Sequence, residues 1–429
     1  MMKRAENLTD IYNLFKPMAL KAEQSDFYQE TASVREGKGY EFHDGLYKRI
    51  KKAAEPERLL IVGHGGCGKS TELHMLKADL SAEGYPVVYI DAKDDLNLYN
   101  FTYIDLIVLI VEKMASYADI NQIKVNEKIK KGFYHALCTK ETVEFWKKDA
   151  ELAVDGSVSL SAPIPFLQPI IRLAASLRMA SGFNETLRQV IKPKIEEVIS
   201  SLNAFVEELQ DKASQPLTIV IDGLEKCRHD CVQQLFMEDI PALARINAHL
   251  LIACPIAVFR SSGGGSLSSY FSAQETIPMI KTHNEDGSQN HEGIRVIKEL
   301  ILKRSDESFY EEDVLNIIIS KSGGSLRDTC FLLSESAFEA DMLEKNTVDM
   351  DAVKVTLKRY ATDIFFRVDA RYFPRMKKIY AHDHTASTDE DLVELLYARA
   401  VFEYNGDRWV DLHPLLRDYI DRQPEVLGS

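Results

Sequence analysis

Apolar residues along this chain fall into two patterns. Short unbroken runs are Leu59-Leu60-Ile61-Val62, Val87-Val88-Tyr89-Ile90, Leu217-Thr218-Ile219-Val220-Ile221 and His249-Leu250-Leu251-Ile252-Ala253-Cys254. Such runs predict strands buried on both faces. Between them apolar residues return at helical spacing. Leu73, Leu76 and Leu80 predict a helix directly after the first run, and Tyr103 to Val111 predicts an apolar helix after the second. Strands alternating with helices predict an α/β fold with a parallel, doubly wound sheet. Residues 9–50 read as a helical lead-in, with Leu14, Phe15, Phe27, Tyr28 and Leu46 as its apolar positions.

About a hundred residues separate the second helix from the third strand, too many for one crossover. They predict an inserted, mostly helical subdomain over 117–212. Within it Ser157–Pro169 holds three prolines and alternating apolar residues, the pattern of a hairpin or extended loop. Pro255 stops the fourth strand. Gly263-Gly264-Gly265-Ser266 reads as a flexible loop, and Thr276–Ile280 as an edge strand, because Pro278 cannot donate to a ladder. Asn284–Gly293 is a polar loop. From about residue 291 the pattern turns helical, and Ser322–Asp328 sits between two helices. After residue 346, helices precede two strands, Ala400–Tyr404 and Arg408–Leu412, joined through Asn405-Gly406, a hairpin signal. Helices followed by a hairpin suggest a winged helix. The predicted division is a lead-in over 1–50, a core over 51–290 carrying the insert, a helical lid over 291–345 and a winged-helix domain over 346–429.

Charge narrows the partners. Lys and Arg number 52 against 66 Asp and Glu, a net charge of −14. That balance argues against the whole surface being a nucleic-acid footprint and leaves room for a local basic patch. No apolar run is long enough for a membrane helix. The first residues turn polar at once, so no secretory signal is expected. Six cysteines are scattered through the chain, which fits reduced thiols and a cytoplasmic setting.

The chemistry follows the first strand. Gly63-His64-Gly65-Gly66-Cys67-Gly68-Lys69-Ser70 is G-x-x-x-x-G-K-S, set between a strand and a helix as a phosphate-binding loop requires. Glycines let the backbone curl so that successive N–H groups face one anion. The helix N-terminus adds its partial positive charge. In this reading Lys69 reaches the β- and γ-phosphates, Ser70 offers its hydroxyl to Mg²⁺, and Thr71 lies near the α-phosphate. A second acid-bearing turn follows the third strand: Asp222-Gly223-Leu224-Glu225. An aspartate at the carboxyl end of a central strand sits beside the loop and is the candidate Mg²⁺ ligand. Glu225 is the candidate for orienting the attacking water. The implied cofactors are ATP or ADP with Mg²⁺.

Gly63–Ser70, Asp222–Glu225, Ser322–Asp328 and the terminal hairpin, in that order, resemble the STAND and initiator-type AAA+ ATPases. Asp222-Gly223-Leu224-Glu225 is similar to the acidic motif of NACHT ATPases, with a second acid three residues after the first. Ser322-Gly323-Gly324-x-x-Arg327 is similar to the sensor-2 motif of origin-recognition-type AAA+ proteins, which implies that Arg327 contacts the nucleotide. Leu412-His413-Pro414-Leu415-Leu416-Arg417 resembles the winged-helix motif of NB-ARC proteins, which implies that His413 touches the ADP β-phosphate. Pro414 stands where that family has aspartate. Gly223 stands where standard AAA+ proteins have glutamate, which favours a slow switch over a fast motor. The resemblance implies an ATP-hydrolysing switch that couples nucleotide state to a protein partner or to homo-oligomer assembly, with a place in bacterial conflict or antiphage systems.

Other signals point elsewhere. The segment 354–378 carries Lys354, Lys358, Arg359, Arg367, Arg371, Arg375, Lys377 and Lys378 with interleaved aromatic residues. It is the candidate contact for nucleic acid. Cys227-x-x-x-Cys231 with His229 lacks a second ligand pair for zinc, and His382-Asp383-His384 stands in a polar stretch. Cys67 offers a thiol at a helix N-terminus. Arg245 and Arg260 are arginine-finger candidates by position only. The rival readings are a DNA-binding initiator or loader, a small-molecule kinase, and a scaffold that binds ATP without hydrolysing it.

Overall fold

A computed structural model describes residues 3–35, 39–137, 167–178, 183–381, 384–385, 387–404 and 409–421. Five strands, β1 (Arg58–Gly63), β2 (Val87–Asp91), β3 (Thr218–Asp222), β4 (His249–Pro255) and β5 (Ala273–Thr276), form one sheet in the order β2-β3-β4-β1-β5. Every neighbouring pair is parallel. The α/β class and the parallel sheet agree with the sequence pattern, and the β3 and β4 residues are all buried, as unbroken apolar runs require. After β1 the chain crosses to the far edge for β2. The carboxyl end of β1 is therefore a switch point, where an open α/β sheet presents its ligand crevice.

Two local expectations change. The edge strand is Ala273–Thr276, and Pro278 lies beyond it, where its carbonyl accepts from Arg35. The glycine run forms a short 3-10 turn, Gly264–Ser269. A Cβ on Gly264 would collide with the Phe259 carbonyl, so glycine serves close approach there rather than flexibility.

The long connection between β2 and β3 is helical: Tyr103–Ile120, Glu127–Leu137, Leu167–Arg178, Phe183–Ile191 and Ile195–Ala213. Residue 117 falls inside the first of these. Leu202 and Phe205 share one buried cluster with Ile107 on the first helix and Ile219 on β3, so these helices have no core of their own. Arg188 ties them further through Asp105 at 2.9 Å. Of the predicted hairpin or extended loop, residues 157–166 lie outside the described residues, and residues 167–169 already belong to a helix.

The lead-in helix Leu8–Leu14 packs on Leu326–Met342, where Ser334 donates to the Tyr12 carbonyl at 2.7 Å. Further helices, Met350–Phe365, Phe373–Tyr380 and Glu390–Tyr397, lead to an antiparallel pair, β6 (Val401–Tyr404) and β7 (Trp409–Leu412). Its predicted turn, Asn405-Gly406, lies outside the described residues, as do His382 and Asp383. Both strands are buried throughout. Phe402, Tyr404 and Trp409 join a cluster with Leu59 and Ile61 of β1 and Leu73 of the following helix. The hairpin thus packs against the strand and helix that bracket the loop. Among the described residues no helix is long and apolar enough to cross a membrane.

Candidate phosphate-binding site

The loop between β1 and the helix Lys69–Ala82 turns at Gly66 (φ 100°) and Gly68 (φ 106°), both in the left-handed region that favours glycine. A Cβ on Gly66 would stand 2.7 Å from Arg327 Cβ and 2.8 Å from Ser325 Oγ, so the missing side chain also admits the segment 325–327. The first N–H groups of the helix have no intrahelical partner, and such groups favour an anion. Lys69 is buried, and its Nζ donates to the Gly63 and His64 carbonyls at 2.8 Å each. No carboxylate pairs with it among the described residues. A cavity of about 540 Å³ opens in front of the loop, lined by Lys69, Ser70 and Thr71 together with Glu225, Arg327 and lead-in residues such as Leu20. The Thr71 hydroxyl accepts from Leu20 N at 3.2 Å, which pins the lead-in to the loop.

Asp222 ends β3 and is 1% exposed. Tyr89 donates to its Oδ2 at 2.8 Å, while Oδ1 is buried with no hydrogen-bond partner among the described residues. Burial and the Glu225 charge push its pKa up, against the Ser70 and Tyr89 hydroxyls and the Lys69 amine. A buried carboxylate oxygen left unpaired is costly, and a hard cation that takes oxygen ligands removes that cost. Asp222 Oδ1 with the neighbouring Ser70 hydroxyl therefore fits Mg²⁺. Glu225 sits on the turn Leu224–Lys226 and lines the cavity. So does Asp91, which the sequence reading passed over. It pairs with Lys226 at 3.2 Å and lies opposite Asp222 in the β2–β3 register. Its signal was present: the run at 87–90 ends in an acid as the third run does.

Arg327 opens the helix Leu326–Met342, its N–H donating to the Gly66 carbonyl at 3.3 Å. Its guanidinium lines the cavity and forms no ion pair among the described residues. The next residue, Asp328, belongs to a different group and is 0% exposed. It accepts from Arg399 Nη2 at 2.6 and 2.7 Å, from the Tyr360 hydroxyl at 2.6 Å, and meets His413 Nε2 at 3.4 Å. Burial works against its charge, but Arg399, His413 and Tyr360 prevail and hold its pKa far below the usual carboxylate range. Burial keeps His413 neutral, so Arg399 is the counter-charge. Arg399 sits at φ 60° just past the helix Glu390–Tyr397, a place helices usually give to glycine. That backbone costs about 1–2 kcal/mol for any other residue. The side chain explains the exception, since Arg399 Nη2 also lies 3.5 Å from where a Gly66 Cβ would be. Arg399 carried no motif and was not singled out in the sequence. His413, expected at the ADP β-phosphate, is buried behind Asp328 and does not line the cavity.

His64 joins the loop to the hairpin. Its Nε2 accepts the Glu403 N–H at 2.8 Å and its ring meets Phe402 edge-on at 5.5 Å. Burial, then Lys69, Arg399 and Arg260, push its pKa down to about 3. The folded ring is therefore neutral, while the unfolded ring protonates near pH 6.5. Its contribution is fully present above pH 6.5 and is lost as pH falls toward 3. Between pH 7 and 4.5 it should amount to ~2–3 kcal/mol. Urea unfolding of wild type and His64→Asn at the two pH values checks this, and equal acid losses in both would count against it.

The remaining candidates sort by contact. Cys67 is buried, and its carbonyl accepts from Arg35 at 2.6 Å. Arg35 is a buried lead-in residue that also lines the cavity. Arg260 is committed to Glu403 (Nε to Oε2 2.8 Å) and Arg245 to Glu196. Neither lines the cavity. His229 stacks on Tyr397 at 4.3 Å.

No family model matches this chain, and no curated protein matches it. Solved structures to which it is similar include Cdc6p of Pyrobaculum aerophilum, at 13% identity over 94% of this chain and 98% of that one, TM-score 0.38. The ORC2 protein of Aeropyrum pernix, in ADPNP and ADP complexes, is 12% identical over 97% and 96%, TM-score 0.42. The RuvB Holliday junction branch migration motor of Thermotoga maritima is 11% identical over 94% and 100%, TM-score 0.38.

Proposed function

We propose that this chain binds ATP with Mg²⁺, hydrolyses it slowly, and passes its nucleotide state to the C-terminal helices and hairpin. One arrangement carries the reading: the Lys69 amine in a curled loop, at a cavity shared with Glu225 and Arg327, beside the unpartnered oxygen of Asp222. The backbone of residues 63–68 and Lys69 hold the phosphates, with Thr71 near the α-phosphate. Ser70 and Asp222 hold Mg²⁺, which when bound offsets charge on the phosphate oxygens. Glu225 accepts a hydrogen bond from the water that attacks the γ-phosphate in line, and ADP leaves. Arg327, at the start of a lid helix, meets the γ-phosphate. Asp328 and Arg399 carry the effect to the domain 346–429, read as a winged helix, and His413 acts there at one remove from the nucleotide. The division into 1–50, 51–290, 291–345 and 346–429 belongs to this reading, as does a protein partner or second copy that senses the change.

ATP·Mg²⁺ at about 100 times its Kd should stabilise wild type by about 2.7 kcal/mol. Glu225→Gln should keep that gain and slow phosphate release by roughly 10²-fold or more. Melting curves and a phosphate assay read both. An unmoved wild-type melt rejects nucleotide binding, and binding without release in either protein selects the scaffold reading.

A second reading, duplex contact, has its own observation. Lys354, Lys358, Arg367, Arg371 and Lys378 are exposed, and Phe366 among them is 81% exposed. DNA affinity that falls steeply with salt and is lost on neutralising Arg371 and Lys378 would favour it.

A further inference from the structure

The cavity in front of the loop is also walled by the lead-in and by the end of the helix His291–Leu302. Apolar lining there includes Met18, Leu20, Leu300, Leu326 and Cys330. Arg304 stands beside them, with Lys21, Gln29 and Arg35 as further polar lining. It lines the cavity and is 5% exposed. Its guanidinium lies over the Phe15 ring at 5.8 Å and the Phe27 ring at 5.5 Å, and Nη1 donates to the Leu300 carbonyl at 2.9 Å. Among the described residues no carboxylate pairs with it, and its other donors make no hydrogen bond. Arg35, the other buried arginine of this cavity, differs. Its Nε, Nη1 and Nη2 are taken by the Thr31 hydroxyl and the Pro278 and Cys67 carbonyls.

A buried cation with unused donors in such a chamber is costly unless a ligand answers it. The phosphates have their own cradle in the loop amides and Lys69. What remains for this chamber is a flat ring that fills apolar space and presents acceptors at its edge, the usual composition of a base pocket. We propose that Arg304 recognises the nucleotide base, its guanidinium donating to a ring acceptor of a purine whose triphosphate lies on the loop. This rests on the nucleotide-binding reading and adds the specificity element to it.

Calorimetric titration with ATP and with inorganic tripolyphosphate, both with Mg²⁺, separates base recognition from attraction for phosphate. Wild type should bind ATP more tightly than tripolyphosphate. Arg304→Met should weaken ATP about tenfold or more, as loss of a charged hydrogen bond does, and leave tripolyphosphate within twofold. Arg304→Lys keeps the charge but loses the planar fork. It should weaken ATP alone, and it carries the test if the methionine variant does not fold. Equal losses for both ligands, or ATP affinity untouched in the variants, overturn the proposal. Wild type binding neither ligand overturns the nucleotide reading instead.

Discussion

Asp328→Asn is expected to destabilise the chain by about 3–5 kcal/mol, the range for breaking a buried ion pair from one side. The carboxylate is 0% exposed and holds Arg399, Tyr360 and His413 at once. Asparagine keeps the volume but removes the charge, so Arg399 stays buried with no counter-charge. Replacing both members should cost less than the sum. In the cycle Asp328→Asn with Arg399→Met, denaturant unfolding should give a coupling of about 1–3 kcal/mol. Additivity within about 0.5 kcal/mol would mean that the two act independently. Acid acts in the same direction. The folded carboxyl titrates well below its unfolded value, so its contribution is present above about pH 4 and fades as pH falls toward the folded value. The loss should also reach the loop, because Arg399 lies beside Gly66. Asp328→Asn should therefore weaken the dependence of hairpin protection on added nucleotide, read by hydrogen exchange at β6.

The parts of this site that sequence makes legible are those whose chemistry is local. The loop and its lysine follow one another along the chain, and the strand before them announces itself by an unbroken apolar run. Asp222 was found because it ends such a run. Asp91 ends another and became a neighbour only through the β2–β3 register, which no local pattern states. Arg399 and Arg304 show the harder case. Each is an ordinary arginine in its own stretch, and each matters because of groups brought near it by folding. Asp328 is 71 residues from Arg399, and Phe15 is 289 residues from Arg304. His413 was picked out by its motif, but its burial behind Asp328 depends on where the hairpin packs. Gly264 marks a failure of the opposite kind. Flexibility was inferred from composition, whereas close packing against Phe259 sets its conformation.

Lys69→Ala should abolish the ATP·Mg²⁺ stabilisation of about 2.7 kcal/mol expected at 100 times the wild-type Kd, while leaving the free protein nearly unchanged. The two halves have separate causes. The amine is the cation at the centre of the loop, where a triphosphate would place its β- and γ-oxygens, and alanine leaves only backbone N–H groups for them. In the free protein, however, the amine is a buried charge that, among the described residues, has no carboxylate ion pair and donates to two carbonyls. Deleting it forfeits those hydrogen bonds but also removes an uncompensated cation from beside His64, whose pKa it helps to lower. These effects oppose each other, so the unliganded change should stay within about 1 kcal/mol. The His64 pKa should rise as the repulsion goes, which flattens the acid limb of the stability curve. Paired melts with and without ATP·Mg²⁺, repeated at pH 7 and 4.5, read all three quantities. A variant that keeps the nucleotide-dependent gain would show that the loop does not grip phosphate through Lys69. A large loss in the free protein would instead assign the lysine a structural role in holding the loop.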